Sequence, residues 1–238
     1  MNREHIETMK AWILTYFDRI VEPKITNLDK IVDQGFIEEA LTLALCYIDA
    51  MANFDREKRN DRKKTFINTI YDYSDFKELF SKISRIFLVR TGRDPSERNT
   101  KSGRSISHYE EIKAALLEKY GRDNDHTQEM DKDGVIQYLK GKLSTCDWEN
   151  LETNLDRFSY AAVLYERCRS AGVHEMGFET PLQKGPPLFE RNKQGEAIYY
   201  GDILCFSKEI IVSTLKNVHH NLKSKCLQEA KWPCELIR

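Results

Sequence analysis

The stretch Phe36-Ile37-Glu38-Glu39-Ala40-Leu41-Thr42-Leu43-Ala44-Leu45-Cys46-Tyr47-Ile48-Asp49-Ala50-Met51-Ala52-Asn53-Phe54 decides the fold class. Phe36, Ala40, Leu43, Tyr47 and Met51 recur at helical spacing, and Leu41, Ala44, Leu45 and Ile48 widen that stripe. A helix so apolar is buried on most of its circumference, so it needs other helices around it. Asp49 is the anomaly, a carboxylate set among Ala, Ile and Met. With Thr42, Cys46 and Asn53 it forms a narrow polar stripe. Two readings stay open: the stripe faces water, or Asp49 is partly buried and paired with an arginine or a backbone group.

The flanking sequence repeats the helical pattern. Ile6, Met9, Trp12, Ile13 and Phe17 predict a helix from about Arg3 to Ile20, with Pro23 ending it or starting the next turn. A short helix is predicted around Leu28 to Val32, and another from Lys64 to Tyr73. Asp75, with Glu78 three residues on, predicts a capped helix carrying Phe76, Leu79, Phe80, Ile83, Ile86 and Phe87 as core. Tyr109 to Tyr120 and Val135 to Leu143 read as helices. Leu155 to Arg169 reads as one more, with Phe158, Ala161, Ala162 and Tyr165 on its stripe. Leu188 to Phe189 and Ile198 to Tyr200 predict a small hairpin across Asn192 to Gly195, followed by an extended run from Ile203 to Phe206. Ser207 caps a last helix with the stripe Ile211, Leu215, Val218 and Leu222, on which His219 and His220 read as surface residues. The expected fold is therefore mainly α. It is one helical domain over residues 1–238, with an insertion at about 91–148 and a small β-hairpin before the C-terminal helix.

Composition narrows the function classes. The 238 residues are 40% hydrophobic and 32% charged, with a net charge of −1. Mixed charge of this kind excludes a tail-type nucleic-acid binder, so any nucleic-acid site is a local patch. The six cysteines (46, 146, 168, 205, 226 and 234) show no CxxC pair and no zinc spacing. They predict reduced thiols in a cytoplasmic protein with no metal or other cofactor. The charged start Met1-Asn2-Arg3-Glu4-His5 lacks the pattern of a secretory leader, and no apolar run is long enough to cross a membrane. The acidic stretch Gly121 to Gly134 does not match a calcium loop, since Gly is missing at its sixth position and Glu at its twelfth.

Two segments carry chemistry. The first is Leu164-Tyr165-Glu166-Arg167-Cys168-Arg169-Ser170-Ala171-Gly172-Val173-His174-Glu175. Arginine holds a permanent planar charge that grips a phosphate with two hydrogen bonds, and histidine exchanges a proton near neutral pH. Arg169 and His174 are five apart, which is about 140° around an unbroken helix, so they converge if the helix breaks at Gly172. Arg167 and His174 are seven apart and share a face if the helix runs through. Arg169 is the first candidate and Arg167 the second. The plain alternative is that Arg169 and His174 only close the turn after a helix. The second segment holds Arg90, Arg93, Arg98, Lys101 and Arg104, opposed only by Asp94 and Glu97. It reads either as a solvated linker or as an RNA phosphate contact that supplies salt-dependent affinity without sequence choice.

The apolar helix with Cys46-Tyr47-Ile48-Asp49-Ala50-Met51-Ala52, followed far downstream by Arg169-Ser170-Ala171-Gly172-Val173-His174-Glu175, resembles the HEPN superfamily. More narrowly, it resembles small bacterial HEPN-like proteins with an Arg-x4-His motif. The resemblance covers roughly Gly35 to Phe87 and Phe158 to Leu222, but not the insertion. It implies an α-helical bundle that is usually a homodimer, and in many members a metal-independent endoribonuclease. It further implies catalytic roles for Arg169 and His174, with Asp49, Arg167, Ser170 and Glu175 in support. The implied setting is that of a toxin or phage-defence effector, with RNA as substrate and an antitoxin or defence-system protein as partner. Other members are non-catalytic dimerisation or RNA- or nucleotide-binding modules. One departure from the pattern is that Glu175, Met176 and Gly177 follow His174, where many active members have a Tyr.

Overall fold

The computed structural model describes residues 3–53, 62–92, 106–120, 129–166, 198–200 and 203–237. Over these residues the chain is mainly helical. It forms two compact units. One comprises Met1–Lys77, Tyr165–Glu196 and Phe206–Arg238, and the other Glu78–Leu164 and Ala197–Cys205. The segment 91–148 therefore belongs to the second unit, together with sequence on both sides of it.

The first unit is built on a helical run longer than the sequence pattern suggests. Helix α1 (Arg3–Leu14) passes into a π-helical turn (Thr15–Val21) and then into α2 (Glu22–Asp33) without a break. Pro23 stands in the first turn of α2, as one of its two readings has it, and the run continues through it. It has no N–H for the i→i−4 ladder, and the π turn closes just before it, where the wider winding absorbs the mismatch. Ile13 and Phe17 are buried as expected, but Trp12 is 61% exposed and faces outward. Helix α2 ends in a Schellman motif, with Phe36 N–H donating to the Ile31 carbonyl and Gly35 N–H to that of Val32. Gly35 has φ +90, a left-handed conformation that favours glycine.

Helix α3 (Ile37–Ala52) holds the most apolar stretch of the sequence. Its buried side is Leu41, Ala44, Leu45, Ile48 and Ala52, with Ala40 and Met51 beside them, whereas Leu43 and Tyr47 are half-buried and Phe36 is exposed. Helix α3 packs on α2, on α4 (Arg62–Tyr73) and on the long α11 (Lys208–Glu229). Ser207 caps α11 by accepting from Ile210 N–H, and the expected stripe Ile211, Leu215, Val218 and Leu222 is buried. Each such side chain taken fully out of water contributes about 1.5–3 kcal/mol. A short α12 (Pro233–Leu236) follows.

The second unit departs further from periodicity. The single helix expected from Asp75 is two, α5 (Lys77–Phe80) and α6 (Arg85–Thr91), with an extended link between them. Asp75 does not cap; its Oδ2 accepts from Asn217 Nδ2, within the first unit. Likewise, the helix expected from Leu155 to Arg169 does not run through. Helix α9 (Trp148–Leu155) and a 3-10 turn (Asp156–Phe158) stop at Ser159, which is extended at φ −64, ψ 156 and caps α10 (Tyr160–Val163). Both breaks have one cause. Ile83 N–H donates to the Met130 carbonyl, Ser84 N–H to that of Phe158, and Tyr160 N–H to that of Lys82. The link Lys82–Ser84 thus bonds two other chain segments, so its polar groups are satisfied outside a helix. Around it Phe80, Ile83, Phe87, Leu155 and Phe158 are buried, with α7 (Tyr109–Tyr120) and α8 (Lys132–Lys142) completing the layer.

Ile198–Tyr200 pairs antiparallel with Ile203–Cys205, Ile198 opposite Cys205. The partner run expected for Ile198–Tyr200, at 188–189, lies outside the described residues.

Candidate functional site

Arg167, Arg169, Ser170, His174 and Glu175 lie outside the described residues, as do Arg93, Arg98, Lys101 and Arg104. Arg90 lies in the backbone of α6. The structure does describe the approach to the Arg–His stretch. The Tyr165 ring lies 5.1 Å from that of Phe66 on α4, tilted by 58°. Glu166 pairs with Lys63, also on α4, and both side chains are about three-quarters buried. The residues just before Arg167 are therefore tied to α4, a helix that packs on α3, by contacts that include a ring contact and an ion pair.

Asp49 sits on α3 and is 6% exposed. Its Oδ1 accepts from Asn53 Nδ2 at 2.8 Å, one helical turn on, and its carbonyl accepts from the same amide at 3.0 Å. Asp49 is buried, as the second sequence reading has it, and the Asn53 side-chain amide that engages it is a partner that reading did not name. Thr42, Cys46 and Asn53 of the polar stripe are half-buried. A carboxylate so placed can orient a cationic neighbour more firmly than a solvated one, because its own rotamer is fixed.

Two clusters were not anticipated from sequence. In the first unit, the π turn and α2 face α11 through a ladder of opposite charges. Asp18 pairs with Lys223, Glu22 faces His219 at 3.3 Å, and Lys216 Nζ lies 3.1 and 3.0 Å from the two Asp29 oxygens. A cleft of about 410 Å³ runs along this seam beside Ile25 and Thr26. His219 is not the surface residue its helical position suggested. It is 7% exposed, with its ring 5.5 Å from Phe17. Burial lowers its pKa, outweighing Glu22, the Phe17 backbone and Asp18, which favour the charged form. The readable signal is partial: Asp18 and Glu22 are four apart, as are Lys223 and His219, which match when the two runs are antiparallel, whereas Asp29 and Lys216 fall out of that register.

In the second unit Glu129 is buried. Its Oε1 accepts from Arg85 N–H at 2.8 Å, and Oε2 accepts from the Tyr160 hydroxyl. The Arg85 guanidinium stacks over Tyr120 at 4.8 Å. Burial, reinforced by Glu129 and opposed by Arg85, pushes the Tyr120 phenol up to about 12. Sequence hid this cluster, because Glu129 falls in a stretch read as an acidic loop and Arg85 in a stripe read as uniformly apolar. Its groups are engaged with one another, which suits a structural pin better than catalysis.

Among the described residues, no group of three or more His, Cys, Asp and Glu is placed to hold a metal ion. No described helix is long and apolar enough to cross a membrane. Compared with protein-family models, curated proteins and solved structures, the chain finds no match in any of the three.

Proposed function

We propose that this chain is a metal-independent endoribonuclease of HEPN type, with Arg169 and His174 as its catalytic pair. The observation that carries the reading is the segment Arg169-Ser170-x3-His174, which follows an apolar helical stretch and has an upstream apolar helix bearing Asp49. The helical architecture and the burial of Asp49 beside Asn53 support it. So does the anchoring of Tyr165 and Glu166 to α4, which gives the stretch a fixed starting point.

The chemistry needs no added group, because RNA carries its own nucleophile. His174 takes the proton of the 2′-hydroxyl; the 2′-oxygen attacks the adjacent phosphorus, and the 5′-oxygen leaves with a proton. Arg169 stabilises the charge on the non-bridging oxygens. The products are a 2′,3′-cyclic phosphate and a 5′-hydroxyl. A homodimer that faces two such pairs across a two-fold axis supplies both an acid and a base. Arg90, Arg93, Arg98, Lys101 and Arg104 hold the RNA backbone, and Asp49 positions Arg169 or His174. In the cell the activity is that of a toxin or defence effector restrained by a partner protein.

A direct test is an oligoribonucleotide with a single 2′-deoxy substitution at the cut site. Cleavage stops at that position, and the unsubstituted product carries a cyclic phosphate. Continued cutting at the 2′-deoxy position would rule out this mechanism. One observation favours a second reading, a non-catalytic HEPN-like module that dimerises or binds RNA or nucleotide. It is the run Glu175-Met176-Gly177 where many active members place a Tyr. Under that reading the protein binds the oligonucleotide and leaves it intact.

A further inference from the structure

His219 occupies a place that a neutral imidazole suits and an imidazolium does not. Nδ1 lies 3.3 Å from Glu22 Oε2, so the neutral ring places its proton there, toward the carboxylate. Nε2 is buried and has no hydrogen-bond partner. Left as a lone pair it costs little; a second proton would put a charge on a ring that is 7% exposed. The Phe17 carbonyl near the ring accepts the N–H of Glu22, the bond that closes the π turn, and it also favours the charged ring. A π-helical turn is a weak link in a helix, since its hydrogen-bond geometry is poorer and it persists only where packing holds it. The packing here is the Phe17 ring against His219, flanked by the Asp18–Lys223 pair.

We propose that His219 is an acid-sensitive latch holding the π turn Thr15–Val21 against the Lys208–Glu229 helix, and that its protonation releases that turn. The charges acting on the ring come from each side of the seam. Asp18 on the π turn and Glu22 on α2 draw a proton in, and Lys223 on α11 repels it. Lys216 and His220 line the neighbouring cleft opposite Asp29. Because Asp18 and Asp29 are held by lysines, Glu22 is the carboxylate left to meet an imidazolium, and it meets only Nδ1. Burial opposes the charge, and that cost is relieved if the ring turns out or the π turn moves away. This latch is independent of the proposed nuclease, and it can fail or hold without bearing on RNA cleavage.

Amide hydrogen exchange of the full chain, corrected for intrinsic rate, tests it between pH 7.5 and 5.5. Exchange over residues 15–22 and 216–223 quickens as pH falls, by up to roughly tenfold per pH unit, the limit for one proton. His219→Asn keeps a donor near the Nδ1 position and cannot be protonated, so it removes the acid response. Glu22→Gln moves the response to lower pH, because it removes a group that favours the charged ring. The wild-type ring followed by NMR needs no variant: its protonation and the loss of protection at 15–22 share one midpoint. Protection that is unchanged across the range would overturn the latch. So would an acid response that persists in His219→Asn, or a His219 that titrates while the π turn stays protected.

Discussion

Tyr160 and Glu129 show what a single buried hydroxyl is worth. The phenol donates to a carboxylate that is otherwise closed to water, so Tyr160→Phe leaves one oxygen without that donor at nearly unchanged volume. The expected cost is about 1–3 kcal/mol, read as a lower urea midpoint at constant slope. Glu129→Ala is more severe, about 3–5 kcal/mol, because the buried Arg85 then keeps its charge without a counter-ion. His219 sets a pH dependence of stability. Its folded pKa is lowered, so below the ordinary value of about 6.5 the unfolded chain binds the proton more readily than the folded one. Stability is therefore full above that pH and declines as pH falls from there through the lowered folded value. Denaturant titrations at pH 7.5 and 5.5 measure the loss in wild type, and His219→Asn flattens it. A stability that rises on acidification in this window would contradict the assignment. None of these three residues was legible as buried from the sequence. Burial of a polar side chain depends on which element faces it, and periodicity along one element does not report that.

At the scale of elements, local signals and tertiary ones separate clearly. Helix α7 begins and ends where its pattern places it, and α11 starts at the serine that caps it. These boundaries come from chemistry within a few residues. The extended link Lys82–Ser84 and the break at Ser159 come from hydrogen bonds to segments far away in sequence, so the stripe Phe76 to Phe87 misleads although Phe80, Ile83 and Phe87 are buried. The caps at these joints are exposed to test. Ser159 and Ser207 are both buried and each accept from the backbone three residues on. Ser159→Ala and Ser207→Ala each cost about 1 kcal/mol in thermal or urea unfolding. On α3 the buried side can be told from the half-buried one. Leu45→Ala costs about 2–5 kcal/mol, and Leu43→Ala distinctly less. Equal costs would mean that the stripe through Leu43 and Tyr47 is the true core face.

The whole molecule carries almost no net charge, so the proposed RNA affinity has to come from a local segment and not from a general field. Replacing Arg93, Arg98, Lys101 and Arg104 with alanine in a His174→Ala background weakens RNA binding at all sequences alike. It also lowers the slope of log affinity against log salt by about 0.7 for each phosphate that is no longer neutralised, as measured by titrations at several salt concentrations. An unchanged slope would return that segment to the solvated linker. The helical class was legible because apolar periodicity repeats across most of the chain, and the division into two units was not, because it depends on long-range contacts. Of the candidate site, the residue types and their spacing were legible, and Asp49 was legible as an anomaly whose burial only packing could decide. The proposed activity rests on Arg169 and His174. The most direct measurement is cleavage of RNA by purified protein in EDTA, beside Arg169→Ala and His174→Ala. The expected result is cleavage that survives chelation and disappears in both variants while their helical content stays unchanged. Cleavage that either variant retains in full, or intact RNA with the folded wild-type protein, would contradict it.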